Sequence, residues 1–209
     1  PLVYGPRSGD GLQAILGTGD LGVGSNRFGF VLTSSEGFVT RPTAKVISRY
    51  SPIDGTPGED QESVVAEYQP WPYGNRGLYV TELAFDKAGR WGVTIEIDGG
   101  EGAVSSADLF FEVGETTEAP DVGNAAVKSI SKTADDVDSL SDLTTGSLQD
   151  EDLYQLTISE AVGSGIPTVI VFASPSFCTN AVCGPQVEVL QQLKDEYKGQ
   201  ANFVHVDFY

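Results

Sequence analysis

Basic side chains are scarce in this sequence. Of its 209 residues, 12 are Lys or Arg and 30 are Asp or Glu, so the formal net charge is −18. Proteins that bind nucleic acids or anionic membrane surfaces usually do so through basic patches, and this composition argues against both functions. The excess of carboxylates has two interpretations, a highly soluble acidic surface or adaptation to high salt.

Long apolar runs are also missing, and none approaches the roughly 20 residues that a transmembrane helix needs. No signal peptide is visible, but the chain begins at Pro1 instead of a methionine, so we expect an upstream segment to have been removed. The apolar fraction of 40% is ordinary and predicts a real hydrophobic core. The length suggests one or two domains.

Residues that usually carry chemistry are few. The chain has no methionine, one histidine (His205) and two cysteines (Cys178 and Cys183). No internal repeat, phosphate loop or zinc-ligand spacing is visible, and we expect no cofactor. The two cysteines are compatible with a local disulfide in an oxidising compartment and equally with a reduced catalytic pair.

The cysteines lie where a buried strand is predicted to lead into a helix. The apolar run Thr168–Ala173 precedes them, and apolar residues follow with helical spacing at positions 187, 190, 193 and 197. A short apolar strand followed by a helix is half of a βαβ unit. Because the free N–H groups and positive dipole end of a helix start favour thiolate, the pattern predicts redox or soft-metal chemistry.

Residues 153–209 resemble the thioredoxin-like superfamily. The matching features are the strand ending in Phe172-Ala173, the aromatic Phe177 before the first cysteine, Cys-Gly-Pro at 183–185, the helix, and a strand at 201–207. The resemblance implies an α/β domain with thiol–disulfide redox activity. Only its first half is present, so we expect the native polypeptide to continue beyond Tyr209. Thioredoxins carry Cys-Gly-Pro-Cys, whereas this chain has Cys-x4-Cys, and their exchange properties therefore do not transfer directly.

Three other interpretations of the cysteines stay open. Sco-type copper chaperones use a Cys-x3-Cys pair plus a distant histidine, and thiolates suit Cu(I); Cys178 and Cys183 would then be the metal ligands, with His205 an ordinary strand residue. Peroxiredoxins place their cysteine after Pro-x3-Thr-x2-Cys, one residue shorter than Pro175 to Cys183 here, and in that case Cys183 would attack peroxide and Cys178 would resolve it. The third interpretation is a structural disulfide, whose short loop gives little entropic stabilisation.

Residues 1–116 predict an all-β sandwich. Turn-forming clusters separate β-branched and aromatic runs at 26–33, 44–50, 63–68, 77–85, 90–97 and 107–113. The hairpin Gly77–Ile95 and the segment Asp20–Phe28 resemble the last hairpin and the first strand pair of immunoglobulin-like bacterial envelope modules. We expect Trp91 to fill the core. Trp71, between two prolines, is the better candidate for an exposed contact, with a packed loop as the simpler alternative.

Residues 117–152 are acidic, turn-rich and sparsely apolar, which predicts a linker along the surface of the second domain. Asp135, Asp136 and Asp138 suggest calcium, but the glycine and distal glutamate of an EF-hand are missing, which favours a solvated acidic loop. The capping box from Thr157 to Glu160 predicts a short helix over 158–162, ahead of the strand that begins after Pro167.

The sequence thus predicts an extracytoplasmic two-domain protein: an immunoglobulin-like β-sandwich (1–116), an acidic linker (117–152) and the first half of a thioredoxin-like α/β domain (153–209). The favoured activity is that of a thiol–disulfide oxidoreductase acting through Cys178 and Cys183 on protein thiols or disulfides. Copper delivery by the same cysteines, or a non-catalytic envelope protein with an inert disulfide, are the alternatives. The sandwich would serve as a spacer or docking module, beside a membrane-anchored neighbour.

Overall fold

The computed structural model describes residues 3–52, 58–71, 76–100, 102–177 and 183–209. The chain divides into two compact units, Pro1–Val122 and Gly123–Tyr209. The division falls inside the segment 117–152 that the sequence predicts as a linker, and most of that segment belongs to the second unit.

The first unit is an antiparallel β structure. Its strands are β1 (Gln13–Leu16), β2 (Gly24–Ser34), β3 (Gly37–Phe38), β4 (Thr43–Tyr50), β5 (Asp60–Pro70), β6 (Gly77–Phe85), β7 (Gly89–Gly100) and β8 (Ala103–Val113). The sheet order is β1-β2-β6-β5-β4-β7-β8, with β3 paired to β2. Every run predicted as a strand lies within an observed one, which confirms an all-β first unit. β1 and β3 were not predicted, because they are only 4 and 2 residues long.

The two ends of this sheet come together, so the sheet is nearly closed. Gly22 and Gly114 form a parallel bridge, and the Gly114 N–H donates to the Leu21 carbonyl at 2.9 Å. A Cβ atom on Gly22 would lie 2.9 Å from the backbone nitrogen of Thr117, so the close approach of the two segments requires glycine there. Joining the outer segments covers backbone groups that an open sheet edge would expose.

Aromatic side chains dominate the core of the first unit. The Trp91 side chain is fully buried, its ring centroid lies 4.9 Å from that of Phe85, and its Nε1–H donates to the Lys87 carbonyl at 3.0 Å. The prediction that Trp91 fills the core is therefore confirmed. Trp71 is 39% exposed, and its backbone N–H donates to the Arg76 carbonyl at 2.9 Å. Its role as a contact residue stays a prediction.

The second unit contains a βαβ arrangement. Three 3-10 helices (Ala134–Asp136, Leu140–Asp142 and Glu151–Tyr154) precede α1 (Ile158–Gly163), β9 (Thr168–Phe172), α2 (Cys183–Glu196) and β10 (Asn202–Val206). β9 and β10 are parallel, with Phe172 opposite Val206, and α2 lies between them in the chain. In the described parts of the chain, no helix is long and apolar enough to cross a membrane.

The predicted capping box starts α1. The Thr157 hydroxyl accepts a hydrogen bond from the Glu160 N–H at 3.1 Å, and the Glu160 carboxylate accepts one from the Thr157 N–H at 2.9 Å. Together these two bonds satisfy backbone donors that a helix start leaves free. The prediction of a short helix here is confirmed, and the helix extends one residue further than predicted, to Gly163.

The acidic segment before α1 contributes to the second core. Leu143, Leu153 and Tyr154 are buried in one cluster with residues of α2 and β10, among them Leu190 and Phe203. Of these three residues, Leu143 lies within the predicted linker (117–152), whereas residues 121–130 are exposed, in keeping with a surface segment. The predicted linker is therefore packed into the second core at Leu143. Its apolar residues are spaced too irregularly to show a helical or strand period, so the pattern did not reveal the packing.

One inward-facing polar side chain stands out in the first unit. Ser48 follows Val46 on the buried face of β4, and both side chains are fully buried. Among the described residues, the Ser48 hydroxyl has no hydrogen-bond partner. A buried hydroxyl without a partner loses its hydration and gains nothing in return.

Ser48→Ala should therefore leave the free energy of unfolding of the first unit unchanged or raise it by up to about 1 kcal/mol. As a control on the same buried face, Val46→Ala should lower that free energy by about 2 kcal/mol through loss of packing. Urea unfolding followed by tryptophan fluorescence measures both variants, because Trp71 and Trp91 both lie in this unit. An equal loss in the two variants would show that the Ser48 hydroxyl has a stabilising partner.

Candidate functional site

Cys183 is the first residue of α2, is partly buried and is disulfide-bonded. The chain has two cysteines. Cys178 lies outside the described residues, so its placement at the site stays a prediction. The observed α2, Cys183–Glu196, agrees with the helical spacing read from the sequence.

The start of α2 is suited to stabilising a negative charge. Its first turn, Cys183-Gly184-Pro185-Gln186, contains no acidic residue, and Pro185 is compatible with the first turn because N–H groups there have no partner within the helix. Val187 and Leu190 are buried in the core of the second unit and fix the orientation of the helix. A helix start of this kind favours the thiolate form of a cysteine.

An ion-pair cluster anchors the other end of α2. The Lys194 ammonium lies 2.7 Å from the Asp150 carboxylate and 3.2 Å from the Asp152 carboxylate. Burial by itself would lower the pKa of Lys194, but hydrogen bonds to Asp150, Asp152 and Asp195 outweigh it and raise that pKa. The cluster joins the last turn of α2 to the 3-10 helix Glu151–Tyr154. A cation in the last turn of α2 also complements the helix dipole.

The chain leaves β9 through a turn that leads towards Cys178. Ala173 and Ser174 are buried, and the Phe177 N–H donates to the Ser174 carbonyl at 3.0 Å. The Ser174 hydroxyl donates to the Asp207 carboxylate at 2.5 Å. The Ser176 hydroxyl donates to the Thr145 carbonyl, and the Ser176 N–H donates to the Thr145 hydroxyl at 3.3 Å. Side chains and backbone from other segments therefore hold the turn.

Asp207, directly after β10, is the common acceptor in this region. Its carboxylate also accepts hydrogen bonds from the Thr145 N–H at 2.6 Å and from the Thr145 hydroxyl at 2.7 Å. Burial alone would raise the pKa of Asp207, but the hydrogen bonds from Ser174 and Thr145 lower it below its usual range. The carboxylate is therefore ionised at neutral pH, with donors rather than cations stabilising it.

His205, on β10, is 2% exposed and uses both ring nitrogens. Nε2 lies 3.0 Å from the Ala173 carbonyl, which can only accept, so Nε2 carries the proton. Nδ1 lies 2.6 Å from the Tyr154 hydroxyl and, in the neutral ring, accepts its hydrogen bond. Burial lowers the pKa of His205, which favours this neutral form. Both nitrogens are thus engaged inside the unit.

A cavity of about 220 Å³ adjoins these residues and is lined in part by Lys132, Asp142, Tyr154, His205 and Asp207. Three polar side chains of its wall, those of Tyr154, His205 and Asp207, are hydrogen-bonded to protein atoms. We therefore interpret the wall as a polar part of the fold, since its buried groups have partners without a ligand.

Of the three acidic residues considered for calcium, Asp136 has a local structural role. The Asp136 carboxylate accepts hydrogen bonds from the Thr133 N–H at 2.8 Å and the Thr133 hydroxyl at 2.9 Å, which lowers the pKa of Asp136. Asp135 lies in the same 3-10 helix, and Asp138 follows it. Among the described residues, no group of three or more His, Cys, Asp or Glu side chains could hold a metal ion.

Sequence reasoning missed Asp207, Ser174 and Tyr154 as residues of the site. Asp207 and Ser174 each follow the end of a parallel strand, the position where site residues gather in α/β folds. That signal could have identified these two residues. Tyr154 lies in the segment before α1, where no regular period marked it. No protein-family model matches the chain, and no curated protein does either.

Because the chain has one histidine, its imidazole signals report only on His205. We expect a titration midpoint below 6.5, the ordinary value, by proton NMR. The unfolded chain then binds a proton near pH 6.5 while the folded chain does not, so stability is lost as pH falls below about 6.5. His205→Gln should flatten that slope between about pH 7 and pH 5.5. A midpoint at or above 6.5, or equal slopes in both proteins, would contradict the buried neutral histidine.

Proposed function

We propose that this chain is an extracytoplasmic protein with thiol–disulfide redox activity, carried by Cys178 and Cys183 in a thioredoxin-like unit. One observation carries the proposal: a disulfide-bonded cysteine is the first residue of the helix between two parallel strands. A helix start biases a cysteine towards thiolate, and thiolate is the form that attacks disulfides.

The reaction is a two-electron exchange. In the reduced protein, the thiolate of Cys183 attacks a sulfur of a substrate disulfide and forms a mixed disulfide, releasing one substrate thiolate. Cys178 then attacks the Cys183 sulfur of the mixed disulfide, which re-forms the Cys178–Cys183 disulfide and releases the second substrate thiolate. The substrate is reduced and the protein is oxidised; the reverse sequence oxidises a substrate dithiol. The partners are protein thiols or disulfides.

The first unit serves this activity as an immunoglobulin-like spacer or docking module. Its antiparallel sheet is nearly closed. The resemblance to immunoglobulin-like modules is carried in part by the hairpin Gly77–Ile95. In the turn of this hairpin that leads into β7, Gly89 has a φ of +123° and the Trp91 indole donates to the Lys87 carbonyl. A positive φ favours glycine at that position. The two-unit division of the chain is compatible with a spacer joined to a redox unit.

The same chemistry supports an extracytoplasmic location. Disulfides persist in oxidising compartments and are rare in the reducing cytosol. Copper delivery by Cys178 and Cys183 is the alternative, and His205, whose two ring nitrogens are both hydrogen-bonded, would take no part in it. A membrane-anchored neighbour remains part of the proposal as a source or acceptor of electrons.

The proposal predicts a reduction potential within the range of known oxidoreductases, about −270 to −120 mV. Equilibration with glutathione buffers, followed by acid quenching and mass measurement of alkylated thiols, gives that potential. Cys178→Ser is the matched control, because it cannot form the disulfide. A potential far below this range would instead indicate an inert structural disulfide, as in the alternative of a non-catalytic envelope protein.

A further inference from the structure

Two aromatic side chains of the first unit, Phe38 and Trp71, are exposed close to the start of β6. Phe38 is the last residue of β3 and is 48% exposed, and Trp71 directly follows β5. The Arg76 guanidinium lies over the Phe38 ring, 5.5 Å from its centroid, and the Arg76 carbonyl accepts the Trp71 N–H at 2.9 Å. Direct contacts therefore join Phe38, Arg76 and Trp71 into one surface, which we call the Trp71 patch.

The core of the first unit holds this patch in place through Tyr79. The Tyr79 side chain is fully buried, and its ring stacks on that of Phe30 with centroids 5.2 Å apart. Its hydroxyl accepts the Arg41 N–H at 2.7 Å and donates to the Val39 carbonyl at 3.2 Å. The segment that follows Phe38 is thus fixed to β6, so little conformational entropy is lost there when a partner binds.

The side chains of the Trp71 patch can donate hydrogen bonds but cannot accept them. A guanidinium and an indole N–H are donors only, and the Phe38 ring offers an apolar face. Among the residues that the structure describes, no carboxylate forms an ion pair with Arg76, which is exposed. The patch therefore fits a partner that supplies hydrogen-bond acceptors and apolar surface.

Charge narrows the chemistry of that partner. With 30 acidic residues and a formal net charge of −18, the chain repels an anionic partner at long range. A cationic partner would be attracted to carboxylates elsewhere on the chain and repelled by Arg76. An uncharged partner is subject to neither repulsion.

A proline-rich segment combines these properties. Proline has a backbone carbonyl but no N–H, so such a segment is rich in acceptors and poor in donors. In the polyproline II conformation it is stiff and presents apolar rings, and aromatic surfaces recognise it. A neutral polysaccharide fits less well, because its hydroxyl groups also donate and the side chains of the patch accept no hydrogen bond.

We propose that the Trp71 patch binds an uncharged, proline-rich segment of a partner protein in the polyproline II conformation. The proposal rests on the docking role proposed above for the first unit and is independent of the chemistry of the cysteines. Phe38 and Trp71 pack against proline rings of the segment. Arg76 and the Trp71 indole donate to its carbonyl groups.

The test is the binding of decaproline with blocked termini, an uncharged polyproline II helix. Isothermal titration calorimetry should show that it binds at least about tenfold more tightly than a blocked Gly/Ser peptide of equal length, which is uncharged but flexible. Because Trp91 is fully buried, the accompanying change in tryptophan fluorescence should come from Trp71. The affinity should change less than about twofold between about 0.05 M and about 0.5 M salt, since no charges are paired.

Variants of the patch and of a similar surface elsewhere in the unit locate the binding. Trp71→Ala and Arg76→Gln should each weaken decaproline binding about tenfold. Phe110→Ala is the matched control, because Phe110 is also exposed and has an arginine, Arg90, over its ring. It should change the affinity less than about twofold. Equal losses in Phe110→Ala and Trp71→Ala would overturn the assignment to the Trp71 patch.

A milder variant keeps the proposal testable if Trp71→Ala does not fold. Trp71→Phe retains an aromatic ring and removes the indole N–H, so it should weaken binding about threefold and abolish the fluorescence change. Unchanged affinity in both Trp71→Phe and Arg76→Gln would show that the patch does not bind the peptide.

Measuring redox equilibrium and peptide binding on the same wild-type protein separates this inference from the proposed redox function. If the disulfide does not equilibrate with glutathione but decaproline binds, the redox function fails and the docking surface stands. If the disulfide equilibrates with glutathione but decaproline binds no better than the Gly/Ser peptide, the redox function stands and this inference is wrong. Tighter binding of dextran, a neutral polysaccharide, than of decaproline would also overturn it.

Discussion

The parallel pairing of β9 with β10 is the constraint on which the second unit depends. Because parallel strands run in the same direction, their carboxyl ends meet at one edge. The register that places Phe172 opposite Val206 brings Ala173 and Ser174 beside the end of β10. His205 can then donate to the Ala173 carbonyl, and Asp207 can accept from Ser174. The helix that connects the strands begins with the disulfide-bonded cysteine.

At this edge, hydrogen-bond donors and burial set the charge states of Asp207 and His205. The formal net charge is −18, yet hydroxyl and N–H donors from Ser174 and Thr145 keep the partly buried Asp207 carboxylate ionised. His205 stays neutral because burial lowers its pKa. By the same reasoning, a thiolate at Cys183 would depend on the N–H groups of the helix start. Lys194, in the last turn of α2, in contrast forms an ion pair with the Asp150 carboxylate.

Local patterns predicted much of the fold, and long-range contacts explain what they missed. The apolar strands, the capping box at Thr157 and the helix at Cys183 depend on residues close in sequence, so the sequence predicted them. The hydrogen bonds from Tyr154 to His205 and from Thr145 to Asp207 join residues 51 and 62 positions apart, and no period in the sequence encodes such pairs. The burial of Leu143, within the predicted linker (117–152), was missed for the same reason.

We propose that the start of α2 favours a thiolate at Cys183. The most direct test is the pH dependence of alkylation of the single remaining thiol in Cys178→Ser, compared with that in Cys183→Ser. We expect the Cys183 thiol to titrate below the free-cysteine value of about 8.5 and below the Cys178 thiol. A Cys183 thiol that titrates at or above about 8.5, or above Cys178, would contradict the account and point to Cys178 as the attacking residue or to an inert disulfide.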